Sequence, residues 1–222
     1  FNKTNLGRPF VSLKLANSFD GRIATASGDS KWITGPDARR LVHSMRSNHD
    51  AVLVGAGTAR IDDPLLTVRG LGIEHQPVRV VVSRKLDVPI EGALAQSLET
   101  APLWLCHSQE APQERIQAWK KRDATLIQCN VENGQISISD MLHKLADQGL
   151  TRVFCEGGGT LAAALLLSDV VDQLIGFQAG VVIGAKGQPA IGALGFGKLM
   201  EAPRFTLRSA QSVGNDVVCI WS

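Results

Sequence analysis

Residues 152–168 read RVFCEGGGTLAAALLLS. A short apolar run ends at Glu156, three glycines follow, and an alanine- and leucine-rich stretch opens at Thr160. The run is the length of a strand and the stretch has the residues of a helix. A strand entering a helix through glycines presents bare backbone N–H groups at a helix N-terminus. The helix dipole and the unpaired donors there favour phosphate, and glycine lets it approach. The plain alternative is a tight turn. Gly157, Gly158 and Gly159 exceed what a turn requires, which favours the anion site.

The same order recurs upstream. DAVLVG (50–55) is a continuous apolar run, as in a strand covered on both faces, and Gly55-Ala56-Gly57-Thr58 follows it. This is not a complete G-x-G-x-x-G. Two glycine turns after two strands still suit one extended dinucleotide, because ligands of open sheets gather beyond the carboxyl ends of strands. Further strands are expected at 10–16, 78–83, 102–106 and 124–129. Helices are expected from Pro36, over 112–122, and over 139–149 with Ser139 as cap and Gly149 as stop. A short helix from Thr58 to Ile61 is ended by Pro64. IATA (23–26) reads as a return strand after the Asp20-Gly21 turn, 171–184 as one long strand, and the end of the chain as a β-hairpin. The expectation is an α/β fold: a mixed, mostly parallel sheet, helices on both faces and a C-terminal antiparallel hairpin. Nothing marks a boundary, so residues 1–222 read as one domain, with 1–8 a linker remnant. A start at Phe1 reads as a piece of a longer product.

Composition narrows the function. The 222 residues are 44% hydrophobic and 20% charged, which is globular. Lys+Arg 23 against Asp+Glu 21, with 5% aromatics and no Tyr, argues against nucleic acid as a partner. No apolar run approaches the ~20 residues of a membrane helix, and no signal peptide pattern appears. Cys106, Cys129, Cys155 and Cys219 form no C-x-x-C pair and read as buried thiols in a reducing cytoplasm. The five histidines lack ligand spacing, so no metal is expected.

Several polar residues could carry chemistry. Ser83-Arg84-Lys85 ends the strand VRVVV, where a hydroxyl and two cations suit the 2′-phosphate of NADP; a solvated loop is the alternative. Arg46 and Arg69 could bind phosphate in a bidentate manner. Lys14 lies inside an otherwise apolar strand. Asp62-Asp63-Pro64, from the residues alone, reads as a turn before it reads as an acid/base or magnesium pair.

Taken together, the motifs resemble a known family. They are K-L-x-x-S-x-D-G-R (14–22), S-x-W-I-T (30–34), ARRLVHSMR (38–46), T-x-x-x-D-D-P-x-L-T-x-R (58–69) and E-G-G-x-x-L (156–161). The chain, over roughly residues 9 to 221, resembles the reductase domain of the bacterial riboflavin-pathway bifunctional deaminase-reductase. The resemblance implies a dihydrofolate-reductase-like fold and a homodimer. It implies NADPH-dependent reduction of the ribosyl group of 5-amino-6-(5-phosphoribosylamino)uracil, a phosphorylated pyrimidine, to the ribityl chain. By that resemblance, cofactor contacts fall on Ala16, Trp32, Thr58, Asp62, Ser83 or Arg84, and on Gly158, Gly159, Thr160, Leu161, Ala162, Ala163 and Ala164. Asp62 thereby becomes a ligand contact and not only a turn residue. Substrate contacts fall on Ser30, Arg46, Leu66, Arg69 and Glu156. Lys14 and Glu156 are the candidates for catalytic proton donor or substrate orienter. The family's fused zinc deaminase needs H-A-E and P-C-x-x-C, and this sequence has neither, so only the reduction is expected. Two alternatives stand beside this reading: a related pyrimidine or pterin reductase, and a non-catalytic NADP-binding dimerisation module.

Overall fold

The structure is a computed structural model that describes residues 5–222. Of the expected linker remnant, residues 1–4 therefore lie outside the described residues. The chain divides into two compact units. The first comprises residues up to Phe10 with His43–Gly157, and the second Val11–Val42 with Gly158–Ser222. In chain order the strands are β1 (Phe10–Ser18), β2 (Arg22–Ala24), β3 (Ala51–Gly55), β4 (Val78–Val82), β5 (Leu103–His107), β6 (Thr125–Gln128), β7 (Val131–Glu132), β8 (Gln135–Ile136), β9 (Arg152–Cys155), β10 (Gln173–Ala179), β11 (Gln188–Pro189), β12 (Leu207–Val213) and β13 (Asp216–Trp221). The helices are α1 (Pro36–Ser47), α2 (Ala56–Ile61), α3 (Ala93–Gln96), α4 (Gln113–Lys120), α5 (Ile138–Asp147) and α6 (Gly159–Leu167).

In the first unit the strands of the main sheet run in the order β9-β3-β4-β5-β6, all parallel, and β7 and β8 form a separate antiparallel pair. Ala51, Val52, Leu53 and Val54 are all fully buried. Successive side chains point to opposite faces, so β3 is covered on both, as its unbroken apolar run demands. On one face Val52 and Val54 join a cluster with Ala59 of α2, Leu94 of α3 and Trp119 of α4. Each large apolar side chain so buried contributes about 1.5–3 kcal/mol.

In the second unit the order is β12-β13-β10-β1. β1 runs parallel to β10, with Lys14 opposite Ile175 and Ala16 opposite Phe177. β13 is antiparallel to β10 and to β12, so the expected hairpin closes the chain. Its two-residue turn is Gly214-Asn215, with φ +60° at Gly214, the glycine-first form that fits strand twist. Parallel ladders thus dominate and antiparallel strands finish the chain, as the strand and helix pattern predicts.

Three expectations shift. β2 is not the return partner of β1; it pairs with β11. Asp20 supplies the reason. Its carboxylate accepts the Ser18 hydroxyl at 2.7 Å and the N–H groups of Ile183 and Gly184 at 3.1 and 2.6 Å. These bonds fasten the turn to the 183–184 segment instead of to a hairpin. The same anchoring ends β10 at Ala179, so 171–184 is a shorter strand followed by irregular chain. The third change is the cap of α5. Ser137, not Ser139, accepts the N–H of Asp140, because the helix already begins at Ile138. Gly149 lies past the helix at φ +103°, in the left-handed region that favours glycine.

The Asp20 network makes a pH prediction. The Ser18 hydroxyl, then the N–H groups of Ile183 and Gly184, hold the carboxyl down from 3.8 to about 2. The folded value lies below the unfolded one, so this contribution is fully present above the unfolded value and is lost as pH falls through the folded value. The urea midpoint of Asp20→Asn should lie below that of the wild type at neutral pH. The gap should close on acidification across the window from 3.8 to about 2. A gap that stays constant there would remove Asp20 from the account.

Candidate functional site

α1 and the segment after β9 bring the first predicted pair together. Arg46, in the last turn of α1, meets Glu156, one residue beyond β9. Nε donates to Oε1 at 2.5 Å and Nη2 to Oε2 at 3.1 Å, a bidentate pair. The side chains are only 11% and 9% exposed. Arg46 Nη1 also donates to the Thr67 carbonyl at 2.8 Å, which ties the pair to the segment carrying Leu66 and Arg69. Leu66 is buried at φ +55°, whereas Arg69 is exposed. A carboxylate that holds a guanidinium is acceptor-only. In this arrangement both Glu156 oxygens accept hydrogen bonds from Arg46.

His43 belongs to this cluster, and sequence reasoning missed it. Its imidazole Nδ1 lies 3.1 Å from the Thr67 oxygen and 3.3 Å from the Arg69 nitrogen. Burial, then the charges of Arg46 and Arg69, push its pKa below the usual 6.5. The signal was present: His43 stands three residues before Arg46, on the same helix face.

The other predicted residues of this unit lie around its glycine turn and strand ends. α2 opens at Ala56 with Gly55 as N-cap, two residues earlier than expected, and half-buried Thr58 is in its first turn. Asp62 is the exposed C-cap, its N–H bonded to the Thr58 carbonyl. Asp63, at φ +40°, accepts the N–H of Ala93 at 2.8 Å, so the second acid of the pair secures the start of α3. Ser83 is buried, its hydroxyl donating to Asp87 at 2.5 Å and accepting the Asp87 N–H at 2.9 Å. Arg84 pairs with Glu110 at 2.8 Å on the surface.

The second unit holds the remaining candidates. Lys14 and Ala16 are half-buried on β1, and the Lys14 ammonium lies 5.9 Å from the Phe177 ring centre. Ser30 is half-buried in the loop before α1. Trp32 is 70% exposed, with the Arg39 guanidinium 4.5 Å from its ring centre. An open cleft of about 630 Å³ beside it is lined by Thr34, Pro36, Val181 and Asn215 among others, and takes in no other predicted residue.

α6 has Gly158 as N-cap, without a side-chain cap. Ala162 already donates to the Gly158 carbonyl at 3.1 Å. Ahead of it, Gly159, Thr160 and Leu161 have no helical carbonyl four residues back. Leu161, Ala162 and Ala163 are buried, so of these three only Leu161 can offer a ligand a first-turn N–H. Half-buried Ala164 lies deeper in the helix, and Thr160 is exposed with its hydroxyl. Gly159 itself has a packing reason. A Cβ there would lie 3.0 Å from the Pro189 oxygen and 3.2 Å from the Gly192 nitrogen. One of the three glycines thus serves the approach of residues 189–192.

The cysteines are all free: Cys106, Cys129 and Cys155 buried, Cys219 half-buried. Burial pushes the Cys155 thiol up to about 12, which keeps it protonated and unreactive. Among the described residues, no cluster of three or more His, Cys, Asp or Glu could hold a metal ion. Among the same residues no helix is long and apolar enough to cross a membrane.

Known proteins are similar to this chain in sequence and in fold. RibD from Escherichia coli K12, a riboflavin biosynthesis protein, is 34% identical over 95% of this chain and 59% of its own length. The chain thus spans somewhat over half of that relative. A protein from Methanothermobacter thermautotrophicus, named 2,5-diamino-6-ribosylamino-4(3H)-pyrimidinone 5′-phosphate reductase, is 31% identical over 95% of this chain and 96% of its own. Among solved structures, Acinetobacter baumannii RibD superposes with a TM-score of 0.83 at 28% identity, covering 99% of this chain and 59% of that one. Dihydrofolate reductase from Enterococcus faecalis, 11% identical with a TM-score of 0.54 over 96% of this chain and 95% of that one, shares the fold alone. Residues 9–219 match the RibD C-terminal domain as a family. With that stretch holding the Arg46–Glu156 pair and the glycine turns at Gly55 and Gly158, the chain belongs to the RibD C-terminal domain family.

Proposed function

We propose that the chain is a cytoplasmic, NADPH-dependent reductase of riboflavin biosynthesis, acting on the ribosyl group of 5-amino-6-(5-phosphoribosylamino)uracil. The observation that carries the reading is the match of residues 9–219 to one family with a full-length relative named as a pyrimidinone phosphate reductase. That single match also supports treating both units as one reductase domain. In this reading the chain works as a homodimer, and longer relatives carry a zinc deaminase in their remaining length.

The donors present fit the cofactor. The first-turn N–H groups of Gly159, Thr160 and Leu161, with the Thr160 hydroxyl, suit a pyrophosphate. Arg84 suits a 2′-phosphate: its ion pair with Glu110 is exposed and weak enough to exchange. Ser83 spends its hydroxyl on Asp87, which leaves Arg84 as the better candidate of the two. Ala16, Trp32, Thr58, Asp62, Gly158 and Ala162–Ala164 complete the contacts. Bound NADPH would supply the hydride that reduces the opened ribosyl group.

The chain's own residues orient and charge-balance. Arg69 meets the substrate phosphate, and Arg46, locked to Glu156, presents a fixed charge beside it. Ser30 and Leu66 line the substrate. Glu156 accepts from the sugar hydroxyls or the pyrimidine. Lys14, with three donors and no acceptor capacity, is the proton donor to the atom that gains negative charge. The test is NADPH oxidation, followed by the loss of nicotinamide absorbance, with the deaminated and the aminated ribosylaminopyrimidine phosphates and with dihydrofolate. Turnover of a ribosyl phosphate is expected, with NADH slow. Turnover of dihydrofolate alone, or binding of NADPH without turnover, would overturn the reading.

A further inference from the structure

His43 and Arg46 leave the same face of α1, and both reach one stretch of backbone, Thr67–Arg69. The two ring contacts of Nδ1 cannot coexist. A protonated Nδ1 donates to the Thr67 carbonyl, and a bare Nδ1 accepts from the Arg69 N–H. Either tautomer fixes the segment. Gln76 grips the segment next to this point: its Oε1 accepts the Val68 N–H at 2.7 Å, and its Nε2 donates to the Val68 carbonyl at 3.1 Å. Leu66, Thr67 and Val68 are buried and Arg69 is exposed. The root of the Arg69 side chain is therefore held by three side chains while its charge faces solvent.

We propose that His43 is a positioning residue: it sets the Thr67–Arg69 backbone so that Arg69 meets the anionic end of the substrate. The identity of that anion rests on the reductase reading; the contact does not. Arg69 has a long, flexible side chain, and a fixed root lowers the ordering cost of binding. The effect therefore belongs to ground-state binding and appears in KM. The charged groups facing the imidazole are Arg46 on its own helix, Arg69 on the following loop and Glu156 after β9. Burial, then the two arginines, bias the ring towards its neutral form, against the Thr67 carbonyl and Glu156, which favour the protonated one.

Two variants and one spectrum test this. His43→Leu removes both ring contacts. His43→Asn keeps an amide that can donate to Thr67 or accept from Arg69. His43→Leu should raise KM for the ribosylaminopyrimidine phosphate about tenfold, with kcat changed less than about twofold, the pattern of lost uniform binding. His43→Asn should recover most of that loss. In the free wild-type protein, the Arg69 amide signal in a proton–nitrogen spectrum should move with the midpoint of the His43 ring, below 6.5. In His43→Asn that movement should vanish. Equal losses in both variants, an unchanged KM in His43→Leu, or an Arg69 amide blind to the His43 titration would each overturn the proposal. If the wild type turns over neither pyrimidine phosphate, the reductase reading falls, and the amide titration alone decides whether His43 governs Arg69.

Discussion

Arg46→Ala is expected to lose about 3–5 kcal/mol of stability and to raise KM for a ribosylaminopyrimidine phosphate about a hundredfold. The pair it breaks is nearly buried, with Arg46 11% and Glu156 9% exposed. In water such a pair contributes little. Here the desolvation of both charges is offset by two parallel hydrogen bonds, and removing the guanidinium leaves the carboxylate to bear its own desolvation. The Thr67 carbonyl loses a donor in the same step. Arg46→Lys should not rescue the function, because an ammonium is a point charge and cannot make the two-pronged contact. Glu156→Gln should also be costly: it keeps one acceptor for Nε, but it leaves the nearly buried Arg46 guanidinium without a counter-charge. Urea unfolding and steady-state kinetics on the three variants check this. An Arg46→Ala protein within about 1 kcal/mol of wild type would mean that solvent reaches the pair, as in exposed ion pairs.

Arg79→Met should be almost as costly to stability and nearly silent in kinetics. Arg79 is fully buried on β4, between apolar neighbours. Its guanidinium donates to the Ser97 hydroxyl at 2.6 Å, the Ser97 carbonyl at 3.0 Å, the Leu65 carbonyl at 3.5 Å and the Ala101 carbonyl. It thus ties the chain around α3 to the sheet. Burial lowers its pKa from 12.5 to about 10, so it remains charged at neutral pH. Methionine fills much of the same volume but takes the donor from the buried Ala101 carbonyl, the Leu65 carbonyl and the Ser97 hydroxyl, at about 1–3 kcal/mol for each group left unsatisfied, while the Ser97 carbonyl keeps the N–H groups of Thr100 and Ala101. The expected loss is about 3–5 kcal/mol in a denaturant melt, with kcat/KM near wild type at low temperature. If activity falls in proportion to stability lost, Arg79 would instead shape the segment that carries Leu66.

Arg79 also shows where sequence reading stops. A lone arginine in VRVVV looks like a residue on a solvated face. The strand is central to its unit, between β3 and β5, and no face is open to water. Only the neighbouring strands and the 97–101 segment make burial of that charge tolerable. Likewise the sequence offers Ser83 and Arg84 as phosphate ligands, and only the fold shows that Asp87 and Glu110 lie beside them.

The order of the main-sheet strands, the glycine turns and the longer helices was legible from the residues, because each has a local cause; the short α3, β7, β8 and β11 were not. Apolar runs such as 51–54 call for coverage on both faces, glycine at 149 permits a left-handed stop, and alanine and leucine propagate α6. The sequence therefore determined the α/β class, the closing hairpin and the two glycine junctions. Contacts between distant residues have no such local cause. Arg46 and Glu156 lie 110 residues apart, and only the fold makes them one bidentate pair. Tertiary structure likewise decided that β2 pairs with β11, that Gly159 makes room for residues 189–192, and that His43 joins the arginines. Each of these depends on which surfaces meet after collapse, and side-chain chemistry read along one chain carries no information about that meeting.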